Sequence, residues 1–376
     1  YFGAIVSRTC FFLRSFETFR KSILNEKAAL TVFADLGNGV LDAMVETALG
    51  TWQKSQSSNQ QATFFRCLVA DNKQKALLDA TRSLRSYKDI RPQDVFSRRV
   101  VDFKALEDAP YVYWVDPRIT KKIAAHPHLD SAGARIRVGL QTGDDFRFLR
   151  LWWEVKSENL LRAGAYEDAK SIQTECIEKT HFFRWAWYSK TDAASPIYSA
   201  IHMCVNWKCE GREIKAFHSG KGDSPSRYVR SEEQYFLPAI SYMVRSSRIV
   251  PYLIPSAVVP TAVRSQVYPN PGFESWVAGL LASNLATAVA RFRGGTFSQP
   301  MLQNSMVSAI PFREPSAGLL RIVKHKLASL RSMVLRQMRD DETDISFVRP
   351  SLEKLADDTF VLDRRSLLGS KLECEI

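Results

Sequence analysis

The sequence has little that suits a membrane or an oxidising compartment. No apolar run reaches the ~18 uninterrupted residues that a membrane-spanning helix needs, and the run from Ala278 to Ala290 is interrupted by polar residues. The six cysteines are scattered over 376 residues and form no disulfide framework. The chain opens on Tyr1 without a basic leader, so we expect no signal peptide. Together these absences predict a cytoplasmic protein without a membrane partner.

An initiator methionine is also absent. The opening Tyr-Phe-Gly-Ala-Ile-Val-Ser is typical of a strand already under way, so we expect the chain to be a fragment of a longer protein. Hydrophobic residues make up 45% and charged residues 24%, which is ordinary globular composition. The length is too great for one ordinary core and predicts two or three domains.

Acidic residues are in short supply, and the formal net charge is +12. An excess of this size favours a polyanionic partner, with a merely soluble basic protein as the alternative. Between Gln234 and Arg313 the only acid is Glu274, and every basic residue is an arginine, whose planar fork suits phosphates and guanine edges. Aromatic residues are interleaved with these arginines, which predicts a surface that touches bases or, alternatively, a solvated face: Tyr242, Tyr252, Tyr268 and Trp276.

Strand and helix signals alternate over the first 116 residues, which predicts an α/β fold. A helix is expected from Ser15 to Glu26, capped by Ser15, and a second from Lys73 to Ser86, followed by an extended linker. The succession is typical of the last third of a doubly wound α/β domain. The predicted strands are Ala4 to Ser7, Leu30 to Leu36, Glu46 to Lys54 and Thr63 to Val69.

The rest of the chain is a mixed region followed by a helical tail. One helix is predicted from Phe273 to Phe292, ended by Gly294 and Gly295. A long helix from Gly318 to Arg339 carries basic residues and no acid. His202, Cys204 and Cys209 are too few for a closed zinc site, so we interpret them as part of a strand with buried thiols. Trp152 and Trp153 are interpreted as core residues.

One motif is long and specific. Residues 138–155 read Val-Gly-Leu-Gln-Thr-Gly-Asp-Asp-Phe-Arg-Phe-Leu-Arg-Leu-Trp-Trp-Glu-Val. This segment, the signature, resembles the G-L-x-T-G-D-N-x-R-F-x-R-x-W-x-E-V motif that opens the target-recognition domain of PglX-like adenine-specific DNA methyltransferases of BREX phage defence. Asp145 stands where that family has Asn. Other segments are similar in the same order: residues 5–20, 34–41, 45–48, 111–117, 205–215 and 340–352.

The resemblance implies the C-terminal half of such an enzyme. Residues 1–116 would end a Rossmann-like methyltransferase domain, 117–315 would form a mixed α/β target-recognition domain, and 316–376 a helical segment. The intact protein would use S-adenosyl-L-methionine to methylate adenine N6 at a specific site in double-stranded DNA, with other phage-defence proteins as further candidate partners. The expected DNA contacts are Thr142, Arg147, Arg150, Lys208, Lys215, Arg245, Arg264, Arg291 and Arg293.

The signature also permits a local structural prediction. Gly139 and Gly143 bracket Thr142 and favour a tight turn. A helix that starts at Asp144 would place Arg147 and Arg150 on one face. The opposite, buried face would then carry Phe146, Leu149 and Trp153. A purely structural role for the two arginines is the alternative to DNA contact.

Two segments mimic the catalytic machinery of such enzymes, which hold the methyl donor in a glycine-rich loop and a flipped adenine in an Asn-Pro-Pro-Tyr-type loop. Residues 35–39, Asp-Leu-Gly-Asn-Gly, lead into a strand instead of the helix that a donor loop opens. Residues 270–273, Asn-Pro-Gly-Phe, are typical of a turn before a helix. We therefore expect no catalytic, cofactor-binding or metal-binding residue here, and neither donor binding nor methyl transfer by this chain alone.

Two alternatives stay open. The chain fits equally as the same half of a single-chain type II restriction–modification enzyme whose nuclease lies upstream. It also fits a stand-alone, non-catalytic DNA specificity subunit that borrows a catalytic partner.

Overall fold

The structure is a computed structural model. It describes residues 1–338 apart from 25–27, 42–44, 55–60, 87–93, 163–167, 191–196, 198–199 and 295–299, and it leaves the side chains of 22–24, 293–294 and 337–338 undescribed. The last of the segments that resemble the methyltransferase family, residues 340–352, lies outside the described residues. The chain divides into two compact units. The first unit is Tyr1–His128 with Ala288–Arg313, and the second is Leu129–Thr287 with Glu314–Ile376.

A mixed five-stranded sheet organises the first unit, in the order β1-β3-β2-β4-β5. Strand β3 is antiparallel to both β1 and β2, so β1 and β2 run parallel with β3 inserted between them. Strand β4 is parallel to β2 and antiparallel to β5. The α/β fold and the four predicted strands are confirmed, but the predicted extended linker contains a fifth strand. The strands are β1 (Phe2–Ser7), β2 (Ala28–Gly37), β3 (Thr47–Lys54), β4 (Gln61–Arg66) and β5 (Val95–Arg99).

Among the residues described before residue 128, two form regular helices, α1 (Lys73–Arg85) and α2 (Pro117–Ala124). The first agrees closely with its prediction and is capped by Asn72, whose side chain accepts the backbone N–H of Lys75. Aromatic side chains fill the core between the sheet and the segment after β5, because large rings bury much apolar area each. They include Phe11, Phe33, Trp52, Phe64, Phe103, Tyr111 and Tyr113.

The predicted regular helix at Ser15 to Glu26 is wrong in type. A 3₁₀ turn spans Arg14–Phe16 and a π-helical segment spans Phe19–Leu24, and Ser15 lies inside the first turn instead of capping it. The guanidinium of Arg20 is fully buried and donates to the carbonyl oxygens of Cys10, Leu13 and Asp108 at 2.6–3.1 Å. Arg20 thus ties the π-helical segment to backbone outside it.

Asp35, in the segment that mimics a donor loop, belongs to a buried ion pair. Its carboxylate accepts Arg8 Nε at 2.5 Å and the Tyr113 hydroxyl at 2.8 Å, and Arg8 also pairs with Glu46. The strand after this segment is β3, antiparallel to β2, so the segment connects a hairpin and opens no helix. The prediction that this segment leads into a strand is therefore confirmed.

The second unit contains two four-stranded sheets. One has the order β11-β10-β13-β6 and is antiparallel throughout. The other has the order β12-β8-β9-β7 and is antiparallel except for the parallel pair β12 and β8. The strands are β6 (Arg135–Val138), β7 (Leu149–Leu151), β8 (Trp185–Tyr188), β9 (Met203–Asn206), β10 (Ala239–Met243), β11 (Tyr252–Ile254), β12 (Val258–Val259) and β13 (Arg264–Tyr268).

The remaining helices are α3 (Asp145–Phe148), α4 (Ala169–Lys179), α5 (Lys208–Gly220), α6 (Glu274–Ala282), α7 (Asn284–Gly294), α8 (Asn304–Ser308) and α9 (Ala317–Met338). Helix α9 agrees with its prediction and packs against α6 within the second unit. In the part of the chain that the structure describes, no helix is both long enough and apolar enough to cross a membrane.

The single helix predicted from Phe273 to Phe292 is instead two helices, α6 and α7. Ser283 between them has an extended backbone, with φ −71° and ψ 144°. Its hydroxyl donates to the carbonyl of Leu280 and accepts the backbone N–H of Ala286, so one side chain ends α6 and caps α7.

Candidate nucleic-acid interface

The signature forms a tight turn followed by a very short helix. Gly143 has φ +76°, and the Asp144 side chain caps α3 by accepting the backbone N–H of Arg147 at 3.1 Å. The predicted helix ends at Phe148 because β7 begins at Leu149 and pairs with β9. Arg147 therefore lies on a helix and Arg150 on a strand, so the prediction of one shared helical face is wrong.

The predicted burial of the signature is wrong at two positions. Phe148 is fully buried and Leu149 nearly so, but Phe146 is 93% exposed and Trp153 is 48% exposed. The change from helix to strand at Leu149 changes the side-chain period from 3.6 residues to two, which turns the later residues to new directions. Since Trp152 is only half-buried, the interpretation of the Trp pair as core is also wrong.

Thr142 joins the turn to the next part of the signature. Its side chain is 3% exposed, and its hydroxyl donates to the Asp145 carboxylate, which also binds the ammonium of Lys190. Partial burial opposes ionisation of Asp145, but the hydrogen bonds from Lys190 and Thr142 outweigh it and lower the pKa of the carboxyl. The Asp that replaces the family's Asn is thus used in an ion pair with Lys190.

Arg147 connects the signature to residues 205–215, another segment that resembles the same enzyme family. Its Nε and Nη2 donate to one carboxylate oxygen of Glu213 at 3.2 and 3.1 Å, and the other oxygen accepts Asn206 Nδ2 at 2.7 Å. The guanidinium carbon also lies 5.2 Å from the ring centroids of Phe148 and Phe217. The guanidinium of Arg147 is therefore fixed both by a carboxylate and by two aromatic rings.

His218 packs against the signature turn and bonds its backbone. It is 2% exposed, and its Nε2 donates to the Thr142 carbonyl at 3.0 Å. Its ring stacks on Tyr228 with centroids 3.6 Å apart. A Cβ added to Gly143 would lie 2.4 Å from His218 Cε1, so both the positive φ and the close approach require glycine there.

Residues 205–215 also contain a glycine, Gly211, at a position where a side chain would clash. Trp207 is 2% exposed, and a Cβ on Gly211 would lie 2.5 Å from its ring. Cys209, Glu210 and Gly211 all have positive φ, so the regular part of α5 follows this left-handed turn. The exposed Lys208 precedes the turn, and Lys215 pairs with Glu232 at 2.7 Å.

The other predicted DNA contacts are dispersed. Arg245 is exposed after β10, whereas Arg264 is 2% exposed with its guanidinium 4.6 Å from the Tyr252 ring centroid. Arg291 is half-buried on the part of α7 that belongs to the first unit, and the Arg293 side chain is outside the described residues. The predicted surface of interleaved arginines and aromatics is wrong for three residues, which are buried: Tyr242, Tyr252 and Tyr268.

A stack of cationic and aromatic groups lies beside the signature. Arg150 donates to the carbonyl oxygens of Phe146 and Leu149 at 2.7 and 2.6 Å. Its guanidinium carbon is 5.7 Å from the Trp185 ring centroid, and that of Arg184 is 5.4 Å from it. Sequence reasoning missed Arg184 and Trp185. The alternation along β8, with Ala186 and Tyr188 buried, was the available signal that Trp185 faces outward.

Helix α9 presents a basic face. Its buried side chains are Val323, Leu327, Leu330 and Val334, which recur at helical spacing. The exposed part of the helix carries bases, and among the described residues none of them has an acidic partner: Arg321, Lys324, Arg331 and Arg336. The sequence of α9 contains no Asp or Glu to offset them. Such a face attracts polyanions.

The cysteine on β9 is a buried thiol. Cys204 is fully buried, and burial raises its pKa to about 12. The interpretation of this segment as a strand with a buried thiol is confirmed at Cys204. Residues 270–273 form a turn before α6, in which Phe273 N–H donates to the Asn270 carbonyl at 3.1 Å. The amide of Asn270 donates to the carbonyl of Ala132, so this look-alike is also a structural turn.

Comparison with known proteins relates this arrangement to DNA-modifying enzymes. No protein-family profile matches the chain. It is 24% identical over 225 residues to the adenine-specific methyltransferase PglX of Lacticaseibacillus casei (strain Zhang), a match that covers 57% of this chain and 17% of that protein. It shares its fold with the type IIL restriction–modification enzyme MmeI in complex with DNA, with a TM-score of 0.52 at 11% identity.

That superposition covers 99% of this chain and 45% of MmeI. The type IIG restriction endonuclease BpuSI gives a TM-score of 0.31 at 9% identity, covering 87% of this chain and 42% of that one, which is too low to indicate a common fold. The chain thus spans less than half the length of the relatives that it matches. It is similar in sequence to a DNA methyltransferase and in fold to MmeI.

Proposed function

We propose that the chain is the DNA target-recognition half of a site-specific, S-adenosylmethionine-dependent adenine N6 methyltransferase that serves bacterial phage defence in the cytoplasm. The observation that carries the proposal is the coincidence of two independent likenesses, in sequence to PglX and in fold to an enzyme bound to DNA. The joining of two resembling segments by Arg147, Glu213 and Asn206 supports it further, because it gives both segments one shared structural purpose.

In this proposal the domains are the end of the methyltransferase domain (residues 1–116), the recognition domain (117–315) and a helical segment (316–376). Exposed bases contact the phosphate backbone, which positions the protein on DNA without reading sequence. They include Lys208, Arg245 and the basic face of α9. Arg150, half-buried on β7, is added to this set.

The remaining residues of the expected DNA-binding set act by positioning in this proposal. Thr142 and Arg264 are buried, and Arg147 and Lys215 are engaged by Glu213 and Glu232. Their contribution to recognition is to hold the signature turn and its surroundings in one geometry. Arg291 and Arg293 keep the proposed role of backbone contacts on α7.

S-adenosylmethionine is the methyl donor of the whole protein in this proposal, and the described residues do not fit it. The carboxylate that a donor loop would offer, Asp35, is fully buried and bound by Arg8 and Tyr113. Asn270 is engaged in a turn. The donor and the reacting adenine are therefore assigned to the part of the protein that precedes this chain.

A second candidate is the same half of a single-chain restriction–modification enzyme. The fold shared with MmeI over 99% of this chain favours it. The two candidates differ in one property of the whole protein, because only the second cleaves DNA. A stand-alone specificity subunit differs from both, since it methylates only when a catalytic partner is added.

The test uses the whole protein that contains this chain. We expect it to transfer a labelled methyl group from S-adenosylmethionine to adenine N6 within one short sequence of a plasmid. Addition of Mg²⁺ leaves the plasmid intact under the first candidate and cuts it at a fixed distance under the second. Methylation of cytosine, or no binding of duplex DNA by the intact protein, would contradict the proposal.

A further inference from the structure

The phenyl ring of Phe146 stands almost free of the protein surface. It is 93% exposed, two residues before the fully buried Phe148. Single exposed apolar side chains are common and need no explanation by themselves. The feature that distinguishes Phe146 is how firmly its backbone is held.

Each neighbour of Phe146 is tied to a different element. The preceding Asp145 binds Lys190 and Thr142, and the following Arg147 binds Glu213 on α5. The carbonyl of Phe146 itself accepts Arg150 Nη1 from β7 at 2.7 Å. A ring on such a fixed backbone needs little further ordering when it binds, so little of its contact energy is offset by conformational entropy.

The backbone carbonyl of Phe146 accepts a hydrogen bond from Arg150, and Arg150 belongs to a stack with Trp185 and Arg184. Both guanidinium groups lie within 6 Å of the Trp185 ring centroid, at 5.7 and 5.4 Å. Planar guanidinium and indole groups stack on nucleobases because every base has a π-face. Arg184 is exposed and Trp185 half-buried, so this stack also borders solvent.

The charge around the ring suits a polyanion. Three acids lie on the turn or beside it, and each is engaged: Asp144 accepts the backbone N–H of Arg147, Asp145 binds Lys190, and Glu213 binds Arg147. The cations of the stack, Arg150 and Arg184, have no such acidic partner among the described residues. The ring and the stack together therefore offer stacking surfaces within a net positive group.

We propose that Phe146 is a stacking wedge, which inserts at a locally opened base step of bound duplex DNA, with the Arg150–Trp185–Arg184 stack beside it. The proposal rests on the proposed function, since it names how the same unit engages DNA. Apolar side chains inserted between base steps unstack and kink the duplex. Opening a step costs less where the pair is already mismatched, so a wedge prefers a mismatched duplex.

The test compares two 30-base-pair duplexes of one mixed sequence, one fully paired and one with a central mismatch. Affinities of the 376-residue chain are measured by fluorescence anisotropy at low salt. We expect the wild-type chain to bind the mismatched duplex more tightly. Phe146→Ala should weaken that binding by about tenfold and remove the preference, and Phe146→Trp should retain it, because base–aromatic stacking contributes on this scale.

The matched control is Phe182→Ala, which removes another exposed phenyl ring (80%) from the second unit. It should leave both affinities unchanged, and all three variants should melt at the wild-type temperature. If Phe146→Ala binds both duplexes as the wild type does, or if the two alanine variants weaken binding equally, the wedge is overturned while DNA binding stands. If the wild-type chain binds neither duplex, the proposed function falls and the wedge falls with it.

Discussion

Arg147 and Glu213, 66 residues apart, form a two-donor contact in which both Nε and Nη2 reach the same carboxylate oxygen. The second oxygen of Glu213 accepts the amide of Asn206. Two segments that resemble one enzyme family in sequence are thereby joined at a single carboxylate. Their joint occurrence has a physical reason, since each segment supplies one side of the contact.

The contact predicts energetic coupling between the two residues. Both side chains are about half-exposed, at 49% and 44%, so solvent screening limits the ion pair itself to a coupling of ~0.5–1 kcal/mol in a double-mutant cycle of Arg147→Ala and Glu213→Ala. Arg147→Ala alone should cost more, ~1–2 kcal/mol, because its guanidinium also lies over the rings of Phe148 and Phe217. Urea unfolding measures each value. Strictly additive effects would show that the contact contributes nothing.

Gly143 should not tolerate a side chain. Gly143→Ala meets two penalties, a left-handed φ that costs ~1–2 kcal/mol and overlap with His218. Gly222 is the matched control, with φ +80° and no atom within 4 Å of an added Cβ, so Gly222→Ala meets the first penalty alone. We expect a clearly lower melting temperature for Gly143→Ala than for Gly222→Ala. Equal melting temperatures for the two glycine variants would show that the His218 approach is unimportant.

Asp35 should behave as a structural residue of the first unit. Asp35→Ala leaves the buried Arg8 without its main partner, which typically costs ~3–5 kcal/mol. Tyr113→Phe removes one hydrogen bond to the same carboxylate and should cost ~1–2 kcal/mol. Chemical denaturation distinguishes the two variants. A stable Asp35→Ala chain would contradict this assignment.

The chain by itself should not bind S-adenosylmethionine. The look-alike of a donor loop is a hairpin connection whose carboxylate is already engaged. Isothermal titration calorimetry should therefore give no saturable heat with the 376-residue chain. Saturable micromolar binding that is abolished by Asp35→Asn would restore residues 35–39 as a donor loop.

Sequence patterns predicted several of the longer elements of the fold, because long periodic segments specify their own secondary structure. Helices α1 and α9 and the first four strands follow from periodicity and turn residues. The break at Ser283 did not, since the apolar pattern runs through it and only the hydroxyl's local bonds reveal the extended backbone.

The site was harder to predict because tertiary pairing decides it. Strand pairing at Leu149 ends α3 after one turn, and no local signal within the signature indicates that. Phe146, within the single turn of α3, is exposed and Phe148 is buried, the reverse of the assignment made for Phe146 from helical spacing. Tyr252 and Tyr268 are buried because they pack in one hydrophobic cluster with Leu237, Ile254 and Val258, which composition alone does not reveal.

We propose that the second unit binds DNA through its exposed bases. This binding should depend on salt concentration. The variant Arg321→Gln, Lys324→Gln, Arg331→Gln neutralises the basic face of α9. The control Lys75→Gln, Arg82→Gln, Arg85→Gln removes equal charge from α1 in the first unit. Binding of a 30-base-pair duplex to the 376-residue chain is measured between low and moderate salt.

If these bases contact DNA, the α9 variant should lower the slope of log K against log salt by ~2–3. Each DNA phosphate that the protein no longer neutralises reduces the slope by ~0.9. The α1 control should keep the wild-type slope. Equal reductions in both variants would mean that net charge alone drives association. An unchanged slope in the α9 variant, or no binding by the wild-type chain even at low salt, would contradict DNA binding through these bases.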